Sequence, residues 1–213
     1  MIVMAAAFLV SLTVHEYSHG RAALAAGDNT AKLAGRLTLN PIAHLDLVGS
    51  IFFIIMMMTG LGIGWAKPVP VNPMRFKIPR WDNLKVSLWG PLSNILLAIG
   101  FALLRFGMIS YAIKTGAVMV IQSYLFLFVD TCIRINLALA LFNLIPIPPL
   151  DGSHILSSLL PTELARSFDM VIGRYGWLIL MVIVFAFPGV LSGIIIEPMY
   201  KLYHILTIFP QLN

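Results

Sequence analysis

The sequence predicts an all-α polytopic membrane protein, and three observations carry that expectation. Of its 213 residues, 59% are hydrophobic and only 11% are charged, whereas a soluble domain holds about 25% charged residues. Mean hydropathy is +0.92. The apolar residues gather in five long runs, which is more apolar surface than one small soluble core can hide. These observations argue against a water-soluble enzyme and against intrinsic disorder. We expect four to five membrane segments, one of them re-entrant, with short extended segments near a buried polar site. All of residues 1–213 read as one membrane-embedded domain.

Segment A covers residues 2–26 and resembles a signal peptide in length. It has no basic start, however, and His15, Glu16 and His19 interrupt its apolar run, so it reads as a permanent helix. Gly27-Asp28-Asn29 ends it, with glycine available as a left-handed cap. Residues 32–40 alternate in part and predict short strands. Segment B, residues 47–63, is the shortest and carries Gly49, Gly60 and Gly62, with Gly64 just beyond. Three prolines in residues 64–76, Pro68, Pro70 and Pro73, forbid helix and favour extended backbone. Segment C spans residues 84–106 and segment D residues 116–144. Pro146, Pro148 and Pro149 end D, and a new helix begins near Asp151. Residues 161–176 are amphipathic at best, and segment E covers residues 177–196. Most of these runs approach the roughly 20 residues that cross a bilayer as helix.

The net charge is +5. The cations sit in short connections between apolar runs, which fits orientation by cytoplasmic Lys and Arg. No nucleic-acid partner is expected, and membrane lipids are the expected surroundings. Cys132 is the sole cysteine, so no internal disulfide forms, and it reads as a small core residue.

The sharpest chemical signal is His15-Glu16-Tyr17-Ser18-His19. Residues four apart share a helix face, so both imidazoles reach one metal ion, and Glu16 reaches a water beside it. Ionisable groups at membrane depth are costly and usually functional. A third ligand is needed, with candidates His44, Asp46, Asp130, Asp151, His154 and His204. Asp151 is the best placed, because it follows a proline-broken stretch at membrane depth, where irregular backbone needs a covering of protein or a polar cavity. A helix N-cap is a compatible role for it. His44, His154 and His204 read as interfacial or loop residues. Asp130 and Arg134, four apart, read as a helical ion pair. Asn94 serves either the site or helix packing.

The H-E-x-x-H in one membrane helix, with N-x-x-P-x-x-x-L-D-G (Asn143, Pro146, Leu150, Asp151, Gly152) after another, resembles the site-2 protease family of intramembrane zinc metalloproteases. Trp65 and the residues up to Pro73 (WAKPVPVNP), with Gly90-Pro91-Leu92-Ser93-Asn94, are similar to segments of its compact prokaryotic form, which lacks PDZ and CBS domains. Many members place a membrane helix before the H-E-x-x-H helix, whereas 14 residues precede His15 here. After L-D-G many members continue Gly-Arg, where this chain has Ser153-His154. The resemblance implies that His15, His19 and Asp151 bind one Zn2+ and that Glu16 is the catalytic base. It also implies that Asn143 assists the tetrahedral intermediate or the substrate backbone. The implied activity is hydrolysis of peptide bonds within or near transmembrane segments of membrane proteins, as in regulated intramembrane proteolysis. The alternative from another class is a divalent-metal transporter, which needs a second His-rich helical motif that the sequence lacks.

Convergence of the ligands at one depth predicts that A and D run in the same direction. Segment B must then enter and leave on one side. Lys67, Arg75, Lys77, Arg80 and Lys85 fall on the active-site face, which the positive-inside rule makes cytoplasmic, in a multi-pass protein of the inner cell membrane. The alternation Lys67-Pro68-Val69-Pro70-Val71 predicts that a transmembrane protein or peptide substrate binds as an added strand along residues 65–71, from Trp65 to Val71.

Overall fold

The computed structural model describes residues 1–59 and 64–208, and these residues form helices and no strand. Gly60 and Gly62 of segment B lie outside them. The order is α1 (Ile2–Ala25), a single turn α2 (Thr30–Leu33), α3 (Leu47–Thr59), α4 (Pro79–Thr115), α5 (Tyr124–Asn143), α6 (Asp151–Leu159), α7 (Thr162–Ala186), another short turn α8 (Pro188–Leu191), a π-helical turn (Ser192–Ile196) and α9 (Glu197–Thr207).

Helix ends follow local chemistry. Gly27 adopts φ +106° after α1, and the Asp28 N–H returns to the Ala23 carbonyl at 2.9 Å, a glycine-capped C-terminus. Gly116 does the same for α4 with φ +72°. The Ser123 hydroxyl accepts the Phe126 N–H at 3.1 Å and starts α5, which satisfies one of the orphan donors of a helix start. Helix α4 is longer than segment C: it begins at Pro79, whose missing N–H costs nothing in a first turn, and passes through Pro91. Segment D shortens, because Gly116 ends one helix and Ser123 opens the next. Segment E shifts toward the N-terminus. The amphipathic stretch before it joins α7, and Pro188 breaks the run the sequence had suggested was continuous.

The strands expected over residues 32–40 are absent. The N–H groups of Ala34, Gly35 and Arg36 close back on Thr30, Lys32 and Ala31, so this stretch completes a helical turn and leaves no free ladder. The proline-rich stretch of residues 65–72 runs without helix or paired strand. It is fastened by the Lys67 N–H to the His44 carbonyl (3.0 Å) and by the Asn72 N–H to Asp28 Oδ2 (2.6 Å). Burial opposes charge on Asp28. The Asn72 N–H, the Thr30 hydroxyl and N–H, and nearby Arg75 nevertheless hold its carboxyl below the ordinary carboxylate range.

Among the described residues, three helices are long and apolar enough to cross a membrane: α4, α5 and α7. Helix α1 has 24 residues but carries His15, Glu16 and His19. Helix α3, at 13 residues, spans only about 20 Å at 1.5 Å per residue. Its two flanks meet where Lys67 bonds to His44 and the Arg36 guanidinium donates to the Lys67 carbonyl at 2.7 Å. The returning chain lies against α3 so closely that a Cβ on Gly49 would sit 2.2 Å from the Trp65 carbonyl oxygen. Segment B therefore enters and leaves at one end of the bundle.

Helix directions follow from contacts. Ser11 on α1 meets Asn136 on α5, and His19 meets Asp151 beyond the end of α5. Helices α1 and α5 are thus parallel, as ligand convergence required. Helix α4 runs opposite to both, touching His19 with Val86 and His15 with Asn94. Phe8 and Leu12 of α1 pack with Phe53, Ala66, Ile135 and Leu139. Met199 and Tyr203 of α9 close the far side against Ala98, Ala102, Ile133 and Leu137.

The arrangement predicts sidedness. In a Cys132→Ser background, cysteines replacing Asp46 and Lys67 should react with a membrane-impermeant maleimide from one side of the membrane. A cysteine replacing Thr115 should react from the other. Labelling of the first two from opposite sides would mean that the α3 segment crosses fully.

Candidate metal centre

His15 and His19 stand one turn apart on α1, and Asp151 opens α6 opposite them. Leu150, not Asp151, is the N-cap of α6, so the carboxylate is not spent on capping. Asp151 Oδ2 lies 3.2 Å from His15 Nε2 and Asp151 Oδ1 lies 3.3 Å from His19 Nε2. The two Nε2 atoms are 3.0 Å apart. Among the described residues, these three form the one group of His, Cys, Asp or Glu side chains close enough to share a metal ion.

Gly152 lets Asp151 reach this point. A Cβ there would fall 2.3 Å from the Leu144 carbonyl oxygen and 2.5 Å from that of Ile145, so α6 can start against the proline-broken turn only with glycine second. Gly90 performs the matching service on α4. A Cβ there would sit 2.3 Å from His19 Nε2 and 2.7 Å from His15 Cε1.

Both rings are held from behind by α4. His15 Nδ1 is 2.6 Å from Asn94 Oδ1, and His19 Nδ1 is 2.8 Å from the Val86 carbonyl oxygen. Each partner is an acceptor, so each ring donates Nδ1–H, which in the neutral imidazole leaves the lone pair at Nε2. Two such lone pairs and a carboxylate then converge, and Asp151 Oδ2 is buried without a hydrogen-bond donor. A cation relieves this. Ligand atoms about 2.0–2.2 Å from a tetrahedral zinc lie about 3.3 Å from one another, close to the spacing found, so the residues present fit zinc.

Glu16 is beside this triangle and nearly buried. Its Oε2 accepts the Val69 N–H at 2.8 Å. That N–H lies in the stretch expected to take a substrate as an added strand. Asn143 donates Nδ2–H to the Leu139 carbonyl at 3.0 Å. His15, Glu16 and Asn143 are among the residues that line a cavity of about 810 Å³. The rest of its wall is largely apolar: Phe8, Phe53, Trp65, Phe142, Trp177 and Leu180 among others. Pockets of this size and polarity are typical of ligand sites.

The other candidate ligands lie elsewhere. Asp46 accepts the Gly49 N–H at the start of α3. Asp130 is paired with Arg134, as expected, and also with Arg105 at 3.0 Å and the Tyr203 hydroxyl. His154 and His204 are exposed. His44 lies in the connection between α2 and α3, yet it is only 2% exposed and donates Nε2–H to the Thr38 carbonyl. Sequence reasoning missed Asn136 and the close approach of Gly90 to the histidines. Neither carries a local signal, although the glycine stood inside a motif already singled out.

The description Peptidase family M50 matches residues 106–187, the stretch that holds Asn143 and Asp151. The chain is 40% identical over 192 residues to YwhC of Bacillus subtilis (strain 168), provisionally named a zinc metalloprotease, across 90% of this chain and 82% of that protein. It is 28% identical over 182 residues to Rip2 of Mycolicibacterium smegmatis, across 85% of this chain and 66% of the relative. With Rip2 of Mycobacterium tuberculosis (strain H37Rv) the identity is 30% over 168 residues, across 78% and 60%. Both Rip2 proteins are also provisionally named zinc metalloproteases. No solved structure matches the chain.

Gly90→Ala should keep the helix, since alanine favours it by about 1 kcal/mol over glycine. It should nevertheless push α4 off the histidines and lower zinc in the purified protein well below one per chain. Metal analysis finding full occupancy would show that α4 can retreat without disturbing the ligands.

Proposed function

This chain belongs to peptidase family M50 and is a membrane zinc metalloendopeptidase, and we propose that it cuts membrane-protein substrates within or near their transmembrane segments. The observation that carries this reading is the convergence of His15 Nε2, His19 Nε2 and an Asp151 oxygen beside Glu16, next to a largely apolar cavity that His15 and Glu16 help to line. His15, His19 and Asp151 would hold the zinc, which would supply polarisation of the scissile carbonyl and a lowered pKa for a water.

The chain's own groups do the rest. Glu16 takes a proton from the attacking water onto a carboxylate oxygen and delivers it to the leaving amine nitrogen. Asn143 keeps one amide N–H beyond the one it gives Leu139, and turns it to the substrate backbone or to the oxygen that gains charge. The apolar wall of Phe53, Phe142, Trp177 and Leu180 receives apolar substrate side chains. A transmembrane helix hides its carbonyls in internal hydrogen bonds, so the substrate must unwind before it can be cut.

Unwound backbone needs new partners in a water-poor site. Residues 65–71 offer an edge to which a substrate strand adds. The Val69 N–H, held by Glu16 in the resting protein, passes to a substrate carbonyl and returns the carboxylate to water. Lys67, Arg75, Lys77, Arg80 and Lys85 orient this face to the cytoplasm in the inner cell membrane.

Three measurements test the reading. Asp151→Ala should lose zinc, and full occupancy in that variant would remove Asp151 from the ligand set. Glu16→Gln should keep zinc and fold but lose peptide hydrolysis by about 10²–10⁴-fold, the usual loss of a general base; near-normal cleavage of a reconstituted membrane substrate would defeat the mechanism. In a Cys132→Ser, Glu16→Gln protein, single cysteines along residues 66–71 should crosslink to a substrate near its cleavage site with a two-residue period. Uniform or absent crosslinks would mean that the segment does not bind substrate as a strand.

A further inference from the structure

Behind His15, away from the cavity, lies a set of fully buried polar groups that the hydrolytic chemistry does not use. Asn94 and Asn136 are both 0% exposed, as is Ser11. Asn94 Nδ2 donates to the Ser11 carbonyl at 3.1 Å and to Asn136 Oδ1 at 2.8 Å. Asn136 Nδ2 donates to the Cys132 carbonyl and to Ser11 Oγ, both at 2.8 Å. The Ser11 hydroxyl gives its own proton to the Ala7 carbonyl at 2.7 Å.

Donor and acceptor logic allows these groups one arrangement. The carbonyls of Cys132, Ser11 and Ala7 can only accept. The Cys132 carbonyl therefore fixes the NH2 end of Asn136, which turns its Oδ1 toward Asn94. The Ser11 carbonyl and Asn136 Oδ1 then take both N–H groups of Asn94, which turns Asn94 Oδ1 toward His15. An oxygen that only accepts requires His15 to carry its proton on Nδ1. A flip of either amide would set N–H against N–H or oxygen against oxygen in a buried site, at the cost of unsatisfied groups.

We propose that Asn94, braced by Asn136, is a positioning residue that locks His15 in the Nδ1–H tautomer and keeps its Nε2 lone pair open for zinc. The proposal rests on the reading of His15 as a zinc ligand. It assigns Asn94 to the metal site and Asn136 to a supporting role at one remove, on a different helix. Loss of such an outer partner typically weakens metal binding by about 10–100-fold.

The test uses the full-length protein in detergent. In zinc-free protein labelled with 15N-histidine, the ring-nitrogen shifts of His15, assigned by their absence in His15→Ala, should report Nδ1–H. A mixture of tautomers, or Nε2–H, would overturn the proposal without any variant of the asparagines. Zinc affinity, measured by competition with a chelating indicator, should fall about 10–100-fold in Asn94→Leu. It should recover to within a few-fold of wild type in Asn94→Asp, which keeps an acceptor for His15. Asn136→Leu should also weaken zinc and broaden the visible spectrum of the cobalt-substituted protein, although Asn136 does not touch His15. Unchanged affinity in both leucine variants, with zinc lost in His15→Ala, would reject the positioning role. Unchanged affinity in His15→Ala would instead reject His15 as a ligand.

Discussion

Two imidazole nitrogens face each other 3.0 Å apart, and both face the carboxylate of Asp151. Holding them there with a carboxylate, away from water, is the constraint to which the helices answer. His15 and His19 come from the C-terminal half of α1 and Asp151 from just beyond α5, so these two helices must run in parallel. With α4 antiparallel between them in sequence, an odd crossing has to be removed. It is removed at α3, which is too short to span and whose flanks are joined by the Lys67 to His44 bond.

Helix α4 makes the site affordable in a membrane. Its Gly90 leaves room for both rings, and four residues on either side of it the Val86 carbonyl and the Asn94 side chain receive the two Nδ1–H groups. Pro91 sits at the same place, where the missing N–H of a proline loosens a helix locally. A second polar group, Asp130 with Arg105, Arg134 and Tyr203, ties α4, α5 and α9 together away from the metal. Ion pairs of this kind contribute little net stability, but breaking one would leave a charge unpaired and so discourages other packings of these helices.

Local chemistry was legible in the sequence. The spacing of His15 and His19, the proline break before Asp151 and the glycine after α1 each depend on a few consecutive residues, and each stands where its pattern put it. The meeting of His15, His19 and Asp151 and the parity of the helices followed from those patterns together with the thickness of a bilayer. Legibility ended where partners lie far apart in sequence. Nothing near Asn136 announces that it meets Ser11, 125 residues away, and nothing near Val69 announces that its N–H goes to Glu16. Hydropathy also misplaced helix ends, because it records greasy side chains. The start of α4 at Pro79 and of α7 at Thr162 is polar, amphipathic and still helical. The alternation of residues 32–40 misled for a related reason: a strand needs an edge to pair with, and none is offered there.

The π-helical turn at Ser192–Ile196 separates two duties of the C-terminal part of the chain. Ser192, Ile195 and Ile196 border the cavity, while Met199 and Tyr203, one and two turns later, are fixed in the core against α5. In an α-helix one inserted residue rotates everything after it by about 100° and would swing Tyr203 away from Asp130. A π-turn is the form a helix takes when it absorbs such an insertion within a single turn. Changes of chain length are therefore decoupled here from the core. A residue added or removed at this turn would reshape the cavity wall, while Tyr203 kept its place beside Asp130.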